Sequence, residues 1–259
     1  MSLTGKQKKL IEDTIKNSIR NKFRTYNPEP AVMPFHTRLL GKDRLALYSF
    51  IHSLNTNFGT TIFEPVAVSL AMNKFKIAKH QVKPGNKMSE YAQKEIQGIM
   101  NELSAANKRP NKIKEIERIR KVCQKGEMIS VKPTVVDVYL EDDKSIYMID
   151  IKTAKPNKGS FKEFKRTLLE WVAVVLYENP NANINTLIAI PYNPYEPKPY
   201  SRWTMAGMLD LEQELKVAQE FWDFLGGQGA YIDLLNSFEK IGIELRPEID
   251  DYFKRFNKK

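Results

Sequence analysis

The N-terminal part of the chain repeats apolar residues at helical spacing. In residues 6–24 the apolar positions recur every three or four residues beneath a basic face, at Leu10, Ile11, Ile15, Ile19 and Phe23. Residues 43–58 resume this period after a proline-rich passage at 28–34. The periodicity predicts two helices, and the prolines end the first of them. Further helices are predicted over residues 88–103 and 112–123.

The period changes in the middle of the chain, where two apolar runs flank a short charged stretch. Residues 134–140 and 145–151 are rich in β-branched and apolar side chains, and residues 141–144 between them are charged. A pattern of this kind predicts a β-hairpin. The apolar residues occupy both faces of the two runs, as they do in strands that are buried inside a sheet.

The remaining pattern predicts a mixed sheet flanked by helices, an α/β or α+β fold. Residues 161–178 read as a helix, and residues 185–190 as a buried strand that returns parallel to the second hairpin strand through a crossover. Helices are predicted again over 209–225 and 231–241. No linker or repeat divides the chain. We therefore predict one domain, residues 1–259, with a mainly helical part at 1–125, the hairpin, helix and strand at 126–205, and a helical part at 206–259.

The predicted hairpin brings two acids and an amine together. With the turn centred on residues 143–144, antiparallel pairing places Asp137 opposite Asp150 on one face, and Lys152 shares that face. Like charges that face each other across strands are unfavourable, and a divalent cation would relieve the conflict. Oxygen ligands without nearby Cys or His favour Mg²⁺, which can generate hydroxide from bound water. We expect this group at one edge of the sheet.

The alternative is a solvated hairpin whose outer face carries Asp and Lys. The apolar flanks disfavour it, because an unpaired charge inside a buried strand costs on the order of several kcal/mol.

Two further acids are candidates for the same site. Glu64 precedes a helix-like apolar run from Val66 to Phe75 and could complete a metal shell. Equally, Glu64 could be the N-cap of a helix with Pro65 at its first position, where the macrodipole favours negative charge. Glu170 could face the site from the helix after the hairpin, although a solvated helix position is the favoured interpretation.

Basic residues in two loops are candidates for contacts with phosphate or bases. Lys155 and Lys158 lie in a loop directly after the second hairpin strand, where they could contact phosphates or simply keep the loop solvated. Lys198 and Arg202 lie in a proline-rich loop of interleaved aromatic, amide and basic residues at 192–203. That loop could enter a DNA groove, with these two side chains on guanine edges or phosphates, or its Tyr and Trp could pack against the C-terminal helices.

Composition restricts the class of protein. The chain has 41 Lys and Arg against 31 Asp and Glu, a formal net charge of +10, which suits a polyanionic partner but also a merely basic protein. Its one cysteine, Cys123, excludes an internal disulfide and a cysteine-cluster zinc site. With no run of about 18 apolar residues and no signal peptide, the expected location is the cytoplasm.

A family resemblance rests on these same residues. The run Pro133-Thr134-Val135-Val136-Asp137, followed by Asp150-Ile151-Lys152, resembles the PD-(D/E)xK nuclease signature. Residues 153–159, and residues 161–166 leading to Glu170-Trp171, are similar to type II restriction endonucleases of the TdeIII kind. So are residues 34–41 and 58–65, and the likeness covers most of the chain.

The resemblance implies a Mg²⁺-dependent enzyme that cleaves double-stranded DNA at a short palindrome, of the interrupted GGNCC type. It implies that Asp137 and Asp150 bind the metal, that Lys152 positions water, and that Glu64 completes the shell. It also implies a homodimer and a cognate DNA methyltransferase in the same system. Two alternatives stay open: a structure-specific or repair nuclease with the same core, and a DNA-binding protein that does not cleave.

Overall fold

Helices occupy most of the chain, and the strands are short. The computed structural model describes residues 3–26, 33–152, 154–201 and 203–254, without the side chains of residues 158, 203 and 204. The helices are α1 (Gly5–Thr25), α2 (Pro34–Leu40), α3 (Lys42–Phe58), α4 (Glu64–Ala71), α5 (Glu90–Ser104), α6 (Lys112–Arg120), α7 (Phe161–Glu178), α8 (Gln219–Gly226), α9 (Ala230–Glu244) and α10 (Arg246–Lys254). The strands are β1 (Ile77–Val82), β2 (Lys87–Ser89), β3 (Met128–Ser130), β4 (Val136–Glu141), β5 (Ile146–Ile151), β6 (Ile184–Ile190) and β7 (Leu215–Val217).

The main sheet is mixed and has the strand order β1-β4-β5-β6-β7. Strands β1, β4 and β5 pair antiparallel, and β5, β6 and β7 pair parallel. The predicted hairpin and the predicted crossover through α7 are therefore confirmed. Strands β2 and β3 form a separate antiparallel pair.

The hairpin strands lie inside the sheet, so the prediction that the acids and Lys152 sit at its edge was wrong. Strand β1 pairs with the outer edge of β4, and β6 pairs with the outer edge of β5. Strand β1 was not predicted because its middle residues, Lys79, His80 and Gln81, are polar and exposed, and therefore interrupt any apolar alternation.

Two layers of helices bury the two faces of the sheet. On one face Met148, Ile188 and Ile190 pack against α5, α6 and α7. On the other face Leu140 and Ile149, with further alternating residues of β4 and β6, pack against α1, α4, α8 and α9. Alternate side chains of a strand point to opposite faces, so the continuous apolar runs of β5 and β6 follow from burial on both sides.

The C-terminal part departs from the sequence prediction. Residues 209–225 do not form one helix: a turn at 210–214 leads into β7, and only α8 from Gln219 is helical. The backbone N–H of Ile188 donates to Glu214 O at 2.8 Å, which ties this segment to β6. A strand of three residues is too short to show an alternating pattern and forms only by pairing with its neighbour. The apolar spacing of this segment therefore indicated a helix. Within the described residues, no helix is long and apolar enough to cross a membrane.

Candidate active site

Asp137 and Asp150 lie on the two interior strands, at the end of the hairpin away from its turn. The register pairs Val138 with Ile149, which is the register that the sequence predicted. Asp137 Oδ2 accepts a hydrogen bond from the backbone N–H of Ile151 at 2.8 Å. Asp150 is buried, whereas Asp137 is partly exposed. One acid of the pair therefore stands inside the protein and the other faces solvent.

Lys152 follows β5 directly and turns its ammonium group onto Asp150. Its Nζ lies 2.7 Å from Asp150 Oδ1 and 5.0 Å from the centroid of the Phe164 ring. Its backbone N–H donates to Ala189 O at 2.9 Å, which extends the pairing with β6 by one residue. Residues two apart along a strand share a face, and the contact between Asp150 and Lys152 agrees with that prediction.

Glu64 enters from a helix that contains one wide turn. The helix runs without a break from α3 through a π-helical turn, Gly59–Phe63, into α4, because Phe63 and Glu64 both have right-handed helical angles. Glu64 is therefore not an N-cap, and that alternative was wrong. Pro65 lacks an N–H and its ring would clash with the carbonyl four residues earlier in a regular helix. The wider turn just before Pro65 accommodates it.

Gln81 joins Glu64 to the hairpin acids, and sequence reasoning missed it. Its Nε2 donates to Glu64 Oε2 at 2.7 Å and lies 3.5 Å from Asp137 Oδ1. Its backbone has a φ of 54°, a left-handed conformation that a non-glycine residue rarely adopts and that is enriched at functional sites. The neighbouring His80 Nδ1 lies 3.8 Å from Glu64 Oε2. The clue in the sequence is an unbroken polar run at residues 79–81, which is too weak to single out one residue.

The carboxyl groups of the site lie close together and are partly or fully buried, and the pKa values of two of them are raised. Burial raises the pKa of Glu64 to about 7, with a further increase from Asp137 that the hydrogen bond from Gln81 opposes. Burial also raises the pKa of Asp150 to about 7, although the Lys152 ammonium opposes the increase, and the Asp137 carboxylate adds to it. Both acids therefore stay protonated at higher pH than ordinary carboxyl groups. One ammonium group does not neutralise three acids.

The donor chemistry fits a hard divalent cation. The candidate ligands, Glu64, Asp137 and Asp150, offer carboxylate oxygens only, and Mg²⁺ takes one or two carboxylates together with water and phosphate. In the part of the chain that the structure describes, no three His, Cys, Asp or Glu side chains are grouped so as to hold an ion by themselves. Asp150 is turned towards Lys152, and Asp137 towards the Ile151 amide.

A cleft of about 570 Å³ opens beside these residues. The end of α3, the π-helical turn, the ends of the hairpin strands and the loop after β6 form its walls. Residues from each of these parts line it, among them His52, Thr56, Gln81, Asp137, Lys152 and Tyr192. Asp150 does not line the cleft but contacts Lys152, which does. Glu64 and Asp137 are the acids of the site that line the cleft directly.

The basic candidates are distributed unevenly around the cleft. Lys155 lines it, with its Nζ 5.3 Å from the centroid of the Tyr195 ring. Lys198 is exposed in the loop after β6 but does not line the cleft, and its carbonyl accepts a hydrogen bond from Asn193 Nδ2 at 2.7 Å. The Lys158 side chain and the whole of Arg202 lie outside the described residues.

Tyrosines of the same loop contact each other and the segment after β5, whereas the alternative drawn from the sequence placed Tyr and Trp against the C-terminal helices. The Tyr200 hydroxyl donates to Ala154 O at 3.1 Å, and the rings of Tyr195 and Tyr200 are 5.9 Å apart. These contacts brace residues 191–201 against the segment after β5 and so hold one wall of the cleft in place.

Glu170 does not join the site. It lines a separate cavity with Arg166, between α5 and α7, and burial raises its pKa while Arg166 opposes the shift. Glu170 therefore lies apart from the acids of the hairpin, but it is partly buried and is not the solvated helix residue that the sequence favoured.

The amino-acid sequence matches a family of known proteins. The family model described as "Type II restriction endonuclease, HinfI" matches residues 3–242. The chain is 28% identical over 211 residues to the type II restriction enzyme MjaII of Methanocaldococcus jannaschii, which covers 76% of this chain and 56% of MjaII. It is 25% identical over 222 residues to the type II restriction enzyme HgiCII of Herpetosiphon aurantiacus, covering 83% of this chain and 80% of HgiCII.

The match thus spans little more than half the length of MjaII. None of these matches bears on the TdeIII kind, so that finer resemblance stays a prediction. The family match covers nearly the whole chain. The chain belongs to the HinfI family of type II restriction endonucleases.

Proposed function

We propose that the protein is a site-specific deoxyribonuclease that hydrolyses phosphodiester bonds of double-stranded DNA with the help of Mg²⁺. One observation carries the proposal: Asp137 and Lys152 line an open cleft, and Lys152 contacts Asp150 on the strand paired with that of Asp137. Membership of a restriction endonuclease family adds to it.

The acids Asp137 and Asp150 would hold the metal ion, and Glu64 would complete its shell. The raised pKa values of Glu64 and Asp150 support this assignment, because positive charge between the acids would relieve their repulsion. When bound, such an ion supplies a water of lowered pKa and balances negative charge on the phosphate. Gln81 positions two of the acids through its side-chain amide.

Lys152 would act on the reacting atoms directly. Its ammonium group, held between Asp150 and the Phe164 ring, can donate a hydrogen bond to the attacking water or to a non-bridging phosphate oxygen. The water oxygen forms a bond to phosphorus and releases a proton to solvent, and the bond from phosphorus to the leaving oxygen breaks. The leaving oxygen takes up a proton from solvent, so one end carries the phosphate and the other a hydroxyl group.

Basic residues beside the cleft would hold the DNA backbone. We assign phosphate contacts to Lys155 and Lys158, on the segment that follows Lys152. We assign Lys198 and Arg202 to the grooves or to flanking phosphates. A net charge of +10 supports a polyanionic ligand, and phosphate contacts make affinity fall steeply as salt is raised.

Three finer parts of the proposal rest on the family resemblance. They are an interrupted recognition site of the GGNCC type, a homodimer matched to a palindrome, and a DNA methyltransferase partner that protects the same site. A cytoplasmic location follows from a DNA substrate of this kind. Two-fold protein symmetry suits two-fold DNA sites.

The test is digestion of unmethylated phage DNA by the wild-type protein and by Asp150→Asn, in Mg²⁺ and in EDTA, with sequencing of the ends. We expect discrete fragments that need Mg²⁺ and disappear in the variant. A smear would point to a repair or structure-specific nuclease. A tight complex without cleavage would point to a DNA-binding protein.

A further inference from the structure

Helices α2 and α3 expose an unusual amount of apolar surface. Seven large apolar residues between positions 33 and 51 are exposed, and they are Met33, Phe35, Leu39, Leu40, Leu47, Tyr48 and Ile51. Phe35 and Leu39 are 83% and 82% exposed, and Tyr48 is 64% exposed. We call these seven residues the α2–α3 surface. Exposed apolar residues elsewhere are more scattered along the chain, and single ones need no explanation.

These two helices bury almost nothing within their own chain. Phe50 is the buried residue of the 17-residue α3, and α2 has none among its described residues. Phe50 packs against Phe23, Tyr26 and Tyr252, with ring centroids 5.9, 5.2 and 4.9 Å away. One side of α3 is thus fixed to α1 and α10. A helix of this length gains most of its stability from packing an apolar face, and no layer of described residues covers the outer face of α3.

We propose that the α2–α3 surface is where a second copy of this chain docks. With roughly 150–250 Å² for each large side chain, the exposed fractions of the seven amount to on the order of 700 Å². Summed over the two helices, that area approaches the 800 Å² or so that each partner of a stable complex buries.

The chemistry of the surface disfavours nucleic acid as the occupant. The seven side chains carry no charge, and only the Tyr48 hydroxyl among them can donate a strong hydrogen bond. DNA is held by Lys, Arg and polar side chains on its phosphates. An apolar surface suits an apolar partner, and in a symmetric dimer the same patch serves on both copies.

The position of the surface explains why the partner would be a copy of this chain, a step that rests on the proposed function. Along α3 the apolar stripe runs from Leu47 and Ile51 into His52 and Asn55, which line the cleft, and the Tyr48 and His52 rings stack 6.1 Å apart. Two copies joined there would hold their clefts close together. A duplex presents two scissile strands related by two-fold symmetry, which two neighbouring clefts can cut.

The test is sedimentation velocity of the full chain over a concentration series, without DNA. We expect the wild-type protein at about twice its chain mass of 30.0 kDa, and Leu39→Glu and Ile51→Glu as monomers with unchanged circular dichroism. The matched control is Ile243→Glu, on α9, where the replaced side chain is 66% exposed and the dimer should persist.

A second readout uses a supercoiled plasmid with one recognition site. The wild type should yield linear DNA, whereas Leu39→Glu should accumulate nicked circles because it cuts the strands in separate encounters. A monomeric wild type would overturn the proposal, and so would a dimer that survives Leu39→Glu or that Ile243→Glu dissociates. A dimer that fails to cleave would instead refute the proposed function and leave the docking surface intact.

Discussion

The chain gathers ionisable groups in two places that differ in charge balance and in access to solvent. Beside the cleft, one lysine, Lys152, contacts one of the three acids Glu64, Asp137 and Asp150. Behind the sheet, two lysines and two acids form a network that is closed to solvent, consisting of Lys112, Glu115, Lys165 and Glu214. We call this second group the buried network. The first group keeps an excess of negative charge where a ligand can reach it, and the second neutralises itself.

The buried network joins three parts of the chain. Lys165 on α7 is fully buried, with its Nζ 2.7 Å from both carboxylate oxygens of Glu214 and in contact with Glu115 on α6. Lys112 Nζ donates to Gln213 O at 3.2 Å. Such a network fixes the segment before β7 onto α6 and α7. Burial of charge alone therefore does not mark an active site; an uncompensated excess beside a cleft does.

The largest effect should follow from neutralising one acid of the unbalanced group. Asp150→Asn should lower the cleavage rate by about 10⁴-fold or more, since several kcal/mol of transition-state stabilisation depend on the metal and each 1.36 kcal/mol is a factor of ten. The free energy of unfolding should not fall, because the variant removes a buried charge that is only partly compensated. Single-turnover cleavage measures the rate, and urea unfolding measures the free energy of unfolding. A destabilised variant would show that the charge of Asp150 is compensated in the folded protein.

The opposite result is expected in the buried network. Lys165→Met should lower the free energy of unfolding by about 3–5 kcal/mol, since it leaves two buried acids without their cation. Urea titration at neutral pH measures this. Adding Glu214→Gln should restore part of the loss, because it removes one of the unpaired charges. A loss below about 1 kcal/mol would show that the network contributes little.

The pH dependence of the free energy of unfolding provides a further test of the buried network, through Lys112. Burial lowers the pKa of Lys112 to about 8 from its usual value near 10.5, more than nearby acids raise it. Since the unfolded chain binds the proton more tightly, this lysine costs stability below pH 8, and the cost disappears as the pH rises towards 10.5. Wild type should gain roughly 3 kcal/mol across that range relative to Lys112→Met. The exposed neighbour Lys114 provides the control: Lys114→Met should keep the gain.

The smallest of these effects concerns the positioning of the acids. Gln81→Leu should lower Mg²⁺ affinity or cleavage by about 10–100-fold, the usual cost of losing a partner that orients metal ligands. Calorimetric titration with Mg²⁺ provides a readout that does not depend on turnover. Gln81→Asn tests the same amide with a shorter reach, because Asn tolerates a left-handed backbone. Equal metal affinity in all three proteins would exclude the positioning role.

Sequence reasoning was strongest where local pattern and tertiary environment agree. The hairpin register, and with it the pairing of Asp137 and Asp150, followed from two apolar runs around a charged turn. Strand β7 was missed because its three residues become a strand only by pairing with β6. Gln81 was missed for a related reason: its role depends on a backbone conformation and on a partner 17 residues away along the chain, and neither leaves a periodic signal.

For Glu64, the sequence suggested a candidate residue but predicted the wrong local structure around it. The acid was a candidate from its place before an apolar run, but the expected start of a helix there was wrong. The helix was already formed, and the wide turn at residues 59–63 could not be recognised from Gly59 and Pro65 alone.

That wide turn has a consequence for how the site can be altered. A π-helical turn contains one residue more than a regular turn, and one residue corresponds to a rotation of about 100° around a helix axis. Closing the π-helical turn into regular α-helix with the same number of residues would swing Glu64 away from Gln81 and rotate the apolar face of α4 off the sheet. The orientation of Glu64 and the packing of α4 against the sheet thus both depend on this one π-helical turn. A change in the turn would alter both together.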